Sequence, residues 1–346
     1  MISMSDSSAN NDDGDMSEFG LIARLAEFGV AKNLQNPESI LTGIGDDTAV
    51  VSASSGQLLL TTDAIVDGIH FRSVDERWYD IGWKCAVSNL SDIAAMGGIP
   101  DHALVTLGVP KGASMETFTD FYSGMNEAFA KFGGAVVGGD VVSSPNMFVN
   151  LALTGHPVSN GDGESAWLKR SAAQVDDLVC VTGQLGGSAG GLKVLFSGDT
   201  NPSGQTLVNR HFHPTPRIEV GNRLVEAGVR CAMDVSDGLV GDLEKLASAS
   251  NVRIRIDMTN IPIPAELIFM FGTSAIELAL SGGEDYELVF TAPKTIVQAL
   301  QEENGSNITV IGQITDDEVV GGKVRVVDAT GDDYEPIRKG WDHLNG

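Results

Sequence analysis

Acidic side chains recur in one setting along this chain. Asp46 and Asp47 follow GIG, Asp63 closes the apolar run QLLLTTD, Asp140 follows a glycine pair, Asp234 and Asp237 stand in DVSDG, and Glu284 with Asp285 follows SGG. Glycine beside a strand end lets backbone and side chains approach a ligand with no Cβ in the way. Carboxylates converging from such turns make an oxygen-rich cage, the donor set of Mg²⁺, which commonly bridges protein carboxylates to substrate phosphates. The competing explanation is local, since Asp-Gly and Gly-Asp pairs are ordinary turn formers; their recurrence after separate apolar runs favours a shared site. Adjacent carboxylates leave a turn in different directions, so Asp46 either caps its turn or reaches a second ion.

Cys85, Asn89 and Asp92 fall at i, i+4 and i+7, one face of a helix whose other residues, Ala86, Leu90, Ile93 and Ala94, are apolar. A buried unpaired carboxylate is costly, so Asp92 either pairs with a local base such as Lys84 or meets a metal. Several familiar chemistries are missing: there is no GxxxxGK[ST], no GxSxG, and GIGDDT does not complete GxGxxG. GQLGGSAGG after DLVCVTG reads as a tight strand-to-helix packing turn, with phosphate binding as the alternative. His211 and His213 in HFHPTP lack the spacing of a zinc site.

The elements that must position these groups alternate. Helical spacing over Phe19, Ile22, Leu25 and Ala26 precedes the strand QLLLTTDAIV, and Glu76 to Met96 is helical until Gly97, Gly98 and Pro100 stop it. HALVTLGV, AVVGGDVV and MFVNLALTGHP read as strands around the amphipathic helix METFTDFYSGMNEAFAKFG. The linker-like VSNGDGES separates this first unit, 17–157, from a second α/β unit, 165–346, in which strand and helix signals again alternate. Residues 1–16 read as a disordered acidic tail.

Composition excludes other classes. Lys+Arg 22 against Asp+Glu 47 gives a net charge of −25 over 346 residues, a field that repels nucleic acid and anionic membrane. It also opposes an anionic substrate unless metal ions reverse its sign locally. Three dispersed cysteines suit a reducing cytoplasm, and neither a signal peptide nor a membrane-spanning run is present.

GIGDDTAV, LTTDAIVDGIHF, AVSNLSDIAAMGG, VVGGDVV, LTGHP, LKRSAA, VTGQLGGSAGGL, DVSDGL, SGGEDYELVF, IGQIT and RKGWDHL together resemble, in collinear order from about residue 18, the thiamine-monophosphate kinase family of the aminoimidazole ribonucleotide synthetase-like superfamily. The resemblance implies a two-domain α/β (α+β) fold: an N-terminal domain that dimerises through a shared β-barrel, and a C-terminal α/β sandwich. It implies ATP-dependent phosphorylation of thiamine monophosphate to thiamine diphosphate in a cytoplasmic homodimer, with several Mg²⁺ ions, ATP as co-substrate and K⁺ as a further ion. Position by position, it makes Asp47, Thr62, Asp63, Asp92, Asp140 and Asp237 metal ligands or their neighbours, with Thr61 and Asp234 beside them. Gly139, Asp140, Arg170 and Ser236 match nucleotide positions, and His70, Glu284 and Trp341 match positions around the thiamine part. Trp341 has a structural alternative as a C-terminal packing anchor. Asp176 stands where relatives commonly carry glycine.

No catalytic base is expected. A phosphate monoester has a second pKa of about 6 and is already a dianionic nucleophile near neutrality. Two other readings stay open: a different ATP-dependent reaction of the same superfamily, and a non-catalytic acidic metal-binding protein.

Overall fold

The computed structural model describes residues 39–53, 56–75, 77–303, 307–316 and 323–341. The acidic tail, the helix expected around Phe19 to Ala26, and Asp342 and His343 of the terminal WDH lie outside them.

The first sheet contains β1 (Ile40–Thr42), β2 (Ala49–Ala53), β3 (Gly56–Val66), β4 (Gly98–Val109), β5 (Ala135–Ser143), β6 (Phe148–Ser159) and the short β7 (Ser165–Ala166). Its order is β1-β2-β3-β6-β4-β5, with β7 paired to β6. Two helices accompany it, α1 (Trp78–Ala95) and α2 (Met115–Phe132). The linker-like VSNGDGES is the end of β6 and a turn into β7, in which Asn160 Oδ1 accepts the N–H groups of Asp162 and Glu164 at 3.0 and 2.9 Å. Turn-forming residues are common to linkers and hairpins, which is why composition alone did not separate them.

Asp63 lies inside β3, paired with Leu151 of β6, and Asp140 lies inside β5, paired with Thr106 of β4. The expectation that Asp63 ends its strand is therefore corrected, while Asp140 lies inside the strand expected over AVVGGDVV. Ladder pairing with β6 carries β3 on to Val66, past the polar Thr-Thr-Asp step.

The second sheet holds β8 (Leu178–Thr182), β9 (Cys231–Val235), β10 (Arg253–Asp257), β11 (Glu287–Ala292), β12 (Ile308–Thr315), β13 (Val324–Val327) and β14 (Asp333–Tyr334). Interspersed are α3 (Gly187–Ser197), α4 (Pro202–Phe212), α5 (Ile218–Glu226), α6 (Leu239–Ser250), α7 (Ala265–Phe271), α8 (Ala275–Ser281) and α9 (Lys294–Glu302). Strand order is β14-β13-β10-β12-β8-β11-β9. Only β10 and β13 pair in parallel; the other neighbours are antiparallel. The chain is thus a mixed α/β fold with two sheets, and no single-chain barrel closes among the described residues.

Helix α1 joins the halves. It packs on β3, β4 and β6 of the first sheet and on β9 and β11 of the second, which explains why it is apolar on almost every side. One core runs through it, from Leu151 and Leu153 of β6 past Leu90 and Ile93 to Leu288 and Phe290 of β11. The α1–α2 crossing is close because Gly82 and Gly124 face it: a Cβ at either would stand 1.9 Å from a backbone carbonyl, of Phe121 and Tyr79 respectively. Gly97, at φ +66, ends α1 in the left-handed conformation that glycine adopts without penalty. Gly98 and Pro100, expected only as breakers, already belong to β4. Asp176 has φ +72, so the Asp at the usual glycine position keeps the left-handed turn. Asp tolerates that region better than most residues because its short side chain hydrogen-bonds locally.

Candidate active site

Asp47 follows β1, Asp92 ends the polar face of α1, and Asp234 sits in β9. Their carboxylate oxygens lie within 4.8 Å of one another. Three elements separated by many residues thus deliver three acids to one point. Burial raises Asp92 well above the ordinary carboxylate range, and the charges of Asp63, Asp234 and Asp47 raise it further. Asp234 is raised in the same way, first by burial and then by Asp47 and Asp242. The set is mutually repulsive, all oxygen, and enclosed, which fits the donor preference of Mg²⁺. Asn89, fully buried one turn before Asp92, has no partner for its Oδ1 among the described residues, a further oxygen donor on the same helix.

The surrounding groups orient these acids. Thr61 Oγ1 donates to Asp92 Oδ2, and Ser91 Oγ donates to Asp234 Oδ2 at 2.8 Å. Arg170 forks Asp47, Nη2 to Oδ1 at 2.7 Å and Nε to Oδ2 at 3.1 Å. This ion pair is buried, and bidentate pairs of this kind are the strong ones. Asp46 turns the other way and accepts the backbone N–H of Arg170 at 3.1 Å. Burial, and then the Asp47 charge, push Asp46 up to about 6. Lys84 does not pair with Asp92; it binds Glu284 at 2.6 Å, which removes the local-base explanation for Asp92.

The DVSDGL segment forms the adjoining wall. Asp242, fully buried in the first turn of α6, accepts the N–H groups of Ser236, Asp237 and Gly238, each at 3.1 Å, and Lys245 at 2.7 Å. Lys245 also binds Asp237 at 2.5 Å. Glu284 N–H donates to the Ser236 carbonyl at 2.7 Å, and Trp341 N–H to the Asp237 carbonyl at 2.9 Å. The structure thereby links Ser236, Asp237, Glu284 and Trp341. His70 accepts from Val66 N–H at 3.2 Å through Nδ1.

Three predicted residues stand apart from the carboxylate cluster. Thr62 points to the sheet face opposite Thr61 and Asp63, as strand alternation requires, and its hydroxyl donates to the Leu151 carbonyl at 3.1 Å. Gly139 and Asp140 lie on edge strand β5, three strands from Asp63, and no hydrogen bond joins Asp140 to the cluster among the described residues. They line, with Val105, Tyr122, Val136, Gly138 and Val141, an open cavity of about 500 Å³. A smaller cavity of about 140 Å³, at the other end of β9 and β11 beside Asp177 and Arg230, contains none of the predicted residues.

The glycine-rich turn before α3 is filled from within. Asp285 accepts Gly186 N–H at 2.5 Å and Ser188 N–H at 3.0 Å, so a carboxylate of this chain occupies the helix N-terminus where a phosphate was the alternative. Burial pushes Asp285 up to about 7. Asp242 and Lys245 carry no signal at their own positions and act on the DVSDG turn a few residues away, whereas Lys84 and Tyr286 act through partners far along the chain, Glu284 and Val235.

Residues 45–156 match the family described as AIR synthase related protein, N-terminal domain, and residues 174–325 match its C-terminal domain. The thiamine-monophosphate kinase of Aquifex aeolicus is 35% identical over 331 residues, covering 93% of this chain and 99% of the relative. The chain belongs to the thiamine-monophosphate kinase family. The family's Bacillus subtilis member is 36% identical over 309 residues, covering 86% of this chain and 91% of the relative. A solved structure described as AaThiL complexed with AMPPCP and TMP superposes with a TM-score of 0.80 at 34% identity, over 94% of this chain and 97% of that one. Hydrogenase maturation protein HypE in complex with ATP shares the fold, at 18% identity and a TM-score of 0.66 over 92% of this chain and 96% of that one. The mixed α/β fold and the family expected from the resemblance are both borne out.

Proposed function

We propose that this chain phosphorylates thiamine monophosphate with ATP, giving thiamine diphosphate and ADP. The observation that carries the reading is the likeness, over nearly the whole chain, to AaThiL complexed with AMPPCP and TMP. The enclosed Asp47–Asp92–Asp234 cluster supports it independently, because an acidic protein must neutralise two phosphate groups before they can meet.

The cluster would hold Mg²⁺, with Asp63 and Asp237 as nearby carboxylates, and Thr61 fixing the Asp92 oxygen it donates to. Bound Mg²⁺ would supply the charge neutralisation that phosphoryl transfer needs. Arg170, Ser236, Gly139 and Asp140 are assigned to the nucleotide, and His70, Glu284 and Trp341 to the thiamine part. Thr62 and Asp140 stand apart from the cluster, and their place beside the metals rests on the family resemblance alone. No residue set among those described points to K⁺. The acceptor phosphate attacks the γ-phosphorus directly: its oxygen forms the new P–O bond as the bond to ADP breaks. A stable phosphoprotein trapped after mixing with ATP would overturn direct transfer.

A homodimer in the cytoplasm completes the reading. Among the described residues, strand β5 is an unpaired sheet edge carrying exposed Val137 and Val141, 59% and 66% accessible, and an apolar open edge is a site for strand addition. No helix of the described residues is long and apolar enough to cross a membrane.

ADP release measured against a panel of acceptors tests the function. Thiamine monophosphate should be turned over and the cyclisation substrate of purine synthesis should not; the opposite pattern would move the chain to another activity of the superfamily. Trp341 offers a sharper local test. Its backbone N–H already anchors the C-terminal segment on Asp237, and the residue is 46% accessible; an exposed indole is suited to stacking on a cationic ring. Trp341→Ala is expected to raise the KM for thiamine monophosphate by roughly 5- to 30-fold with little change for ATP. Equal effects on both substrates would return Trp341 to a packing role.

A further inference from the structure

Glu284 is held with unusual care. Its backbone has φ +65 and that of Tyr286 φ +51, a strained segment of the kind that persists at functional sites when its surroundings over-determine it. The pinning contacts are on both sides: Glu284 N–H to Ser236, Tyr286 N–H to Val235 at 3.0 Å, and the Asp285 carboxylate on the start of α3. The Glu284 side chain, 31% accessible, gives Oε2 to the ammonium of Lys84, which is only 12% accessible and comes from α1, the helix that carries Asp92. Oε1 accepts nothing among the described residues.

Lys84 is fixed in turn. Its Nζ lies 3.4 Å from His211 Nε2, and His211 Nδ1 lies 2.9 Å from Ser188 Oγ. Burial, and then the Lys84 charge, push His211 down to about 3, so the ring is neutral. The network assigns one tautomer, Nε2 accepting from Lys84 and Nδ1–H donating to Ser188. The relay therefore stacks neutral donors and acceptors behind one ammonium, and the ammonium behind one carboxylate.

We propose that Lys84 is a positioning and specificity residue: by engaging Oε2 it leaves Glu284 an acceptor-only contact through Oε1, so the substrate group recognised there must bring an N–H, the exocyclic amine of the aminopyrimidine. This rests on the reading of thiamine monophosphate as substrate. An ionised carboxylate has no proton to donate to a ring nitrogen or a carbonyl, and the ammonium of Lys84 on Oε2 holds Glu284 in that form with Oε1 left for the substrate. A substrate lacking the amine leaves Oε1 buried without a partner, and sites built around a polar contact discriminate strongly on that ground.

The test compares thiamine monophosphate with its deamino analogue, hydrogen replacing the amine, in the full-length protein. The wild type should favour the amine in kcat/KM by on the order of 10- to 100-fold, through KM for the thiamine substrate and not KM for ATP. Lys84→Met should compress that preference to about 3-fold or less, while Lys84→Arg, which keeps the charge, should largely retain it. If Lys84→Met does not fold, Glu284→Gln decides: its amide oxygen turns to Lys84 and its NH₂ faces the substrate, so the preference should vanish or reverse. An unchanged preference in the variants that fold overturns the proposal. Absence of ADP release by the wild type with thiamine monophosphate instead overturns the substrate reading, a distinguishable result.

Discussion

Asp92→Asn is expected to lower kcat by about 10²- to 10³-fold and, in chelator, to make the protein more stable. The two effects share one cause. Asp92 is held above the ordinary carboxylate range by burial, then by Asp63, Asp234 and Asp47, so its ionised form is disfavoured in the folded state. Asparagine keeps an oxygen to accept from Thr61 and removes the charge. The gain should be on the order of 1 kcal/mol, visible as a rise of a few degrees in Tm at roughly 2–4 °C per kcal/mol. A carboxyl with a raised folded pKa contributes stability at low pH that is lost as pH rises through that pKa. The stability gap between variant and wild type should therefore widen as pH climbs from about 4, and close when Mg²⁺ stabilises the wild type. Such opposition between stability and activity marks a functional cluster. Thermal melts with and without EDTA at two pH values, beside turnover measurements, check both halves. Asp47→Asn is a poorer probe, because it strips the buried Arg170 of its bidentate partner and carries a separate cost of about 3–5 kcal/mol.

The second large effect falls on Asp242→Ala. That carboxylate satisfies three consecutive N–H groups and Lys245. Truncation would leave those donors unpaired and take one carboxylate from Lys245. The loss should be about 3–5 kcal/mol, together with a marked rise in the KM for ATP, because Ser236 and Asp237 depend on the same turn. Urea denaturation gives the first quantity and steady-state kinetics the second. Stability within about 1 kcal/mol of wild type would contradict the scaffold role.

The elements that hold the site were largely readable because periodicity and breakers coincide there. Helix α1 shows i, i+4, i+7 spacing and ends at Gly97, and it does present Asp92 to the acidic cluster. Recurrent glycine–carboxylate pairs point to a shared site, yet Asp63 stands inside β3 and not at its end, since ladder partners far along the chain decide where β3 ends. Thr61 and Thr62 look equivalent in sequence, but pleat alternation sends them to opposite faces. The mostly antiparallel second sheet is not legible either, because alternating strand and helix signals do not specify strand order. Lys84 and Glu284 are separated by 200 positions, and no local pattern joins them. Asp285 had a visible neighbour in GQLGGSAGG only after folding brought α3 to it.

The central claim is tested most directly by incubating the protein with ATP, thiamine monophosphate and Mg²⁺ and quantifying both products. Equal amounts of ADP and thiamine diphosphate are predicted, with formation of both abolished by EDTA. ADP without thiamine diphosphate, or thiamine diphosphate formed at full rate in EDTA, would contradict it.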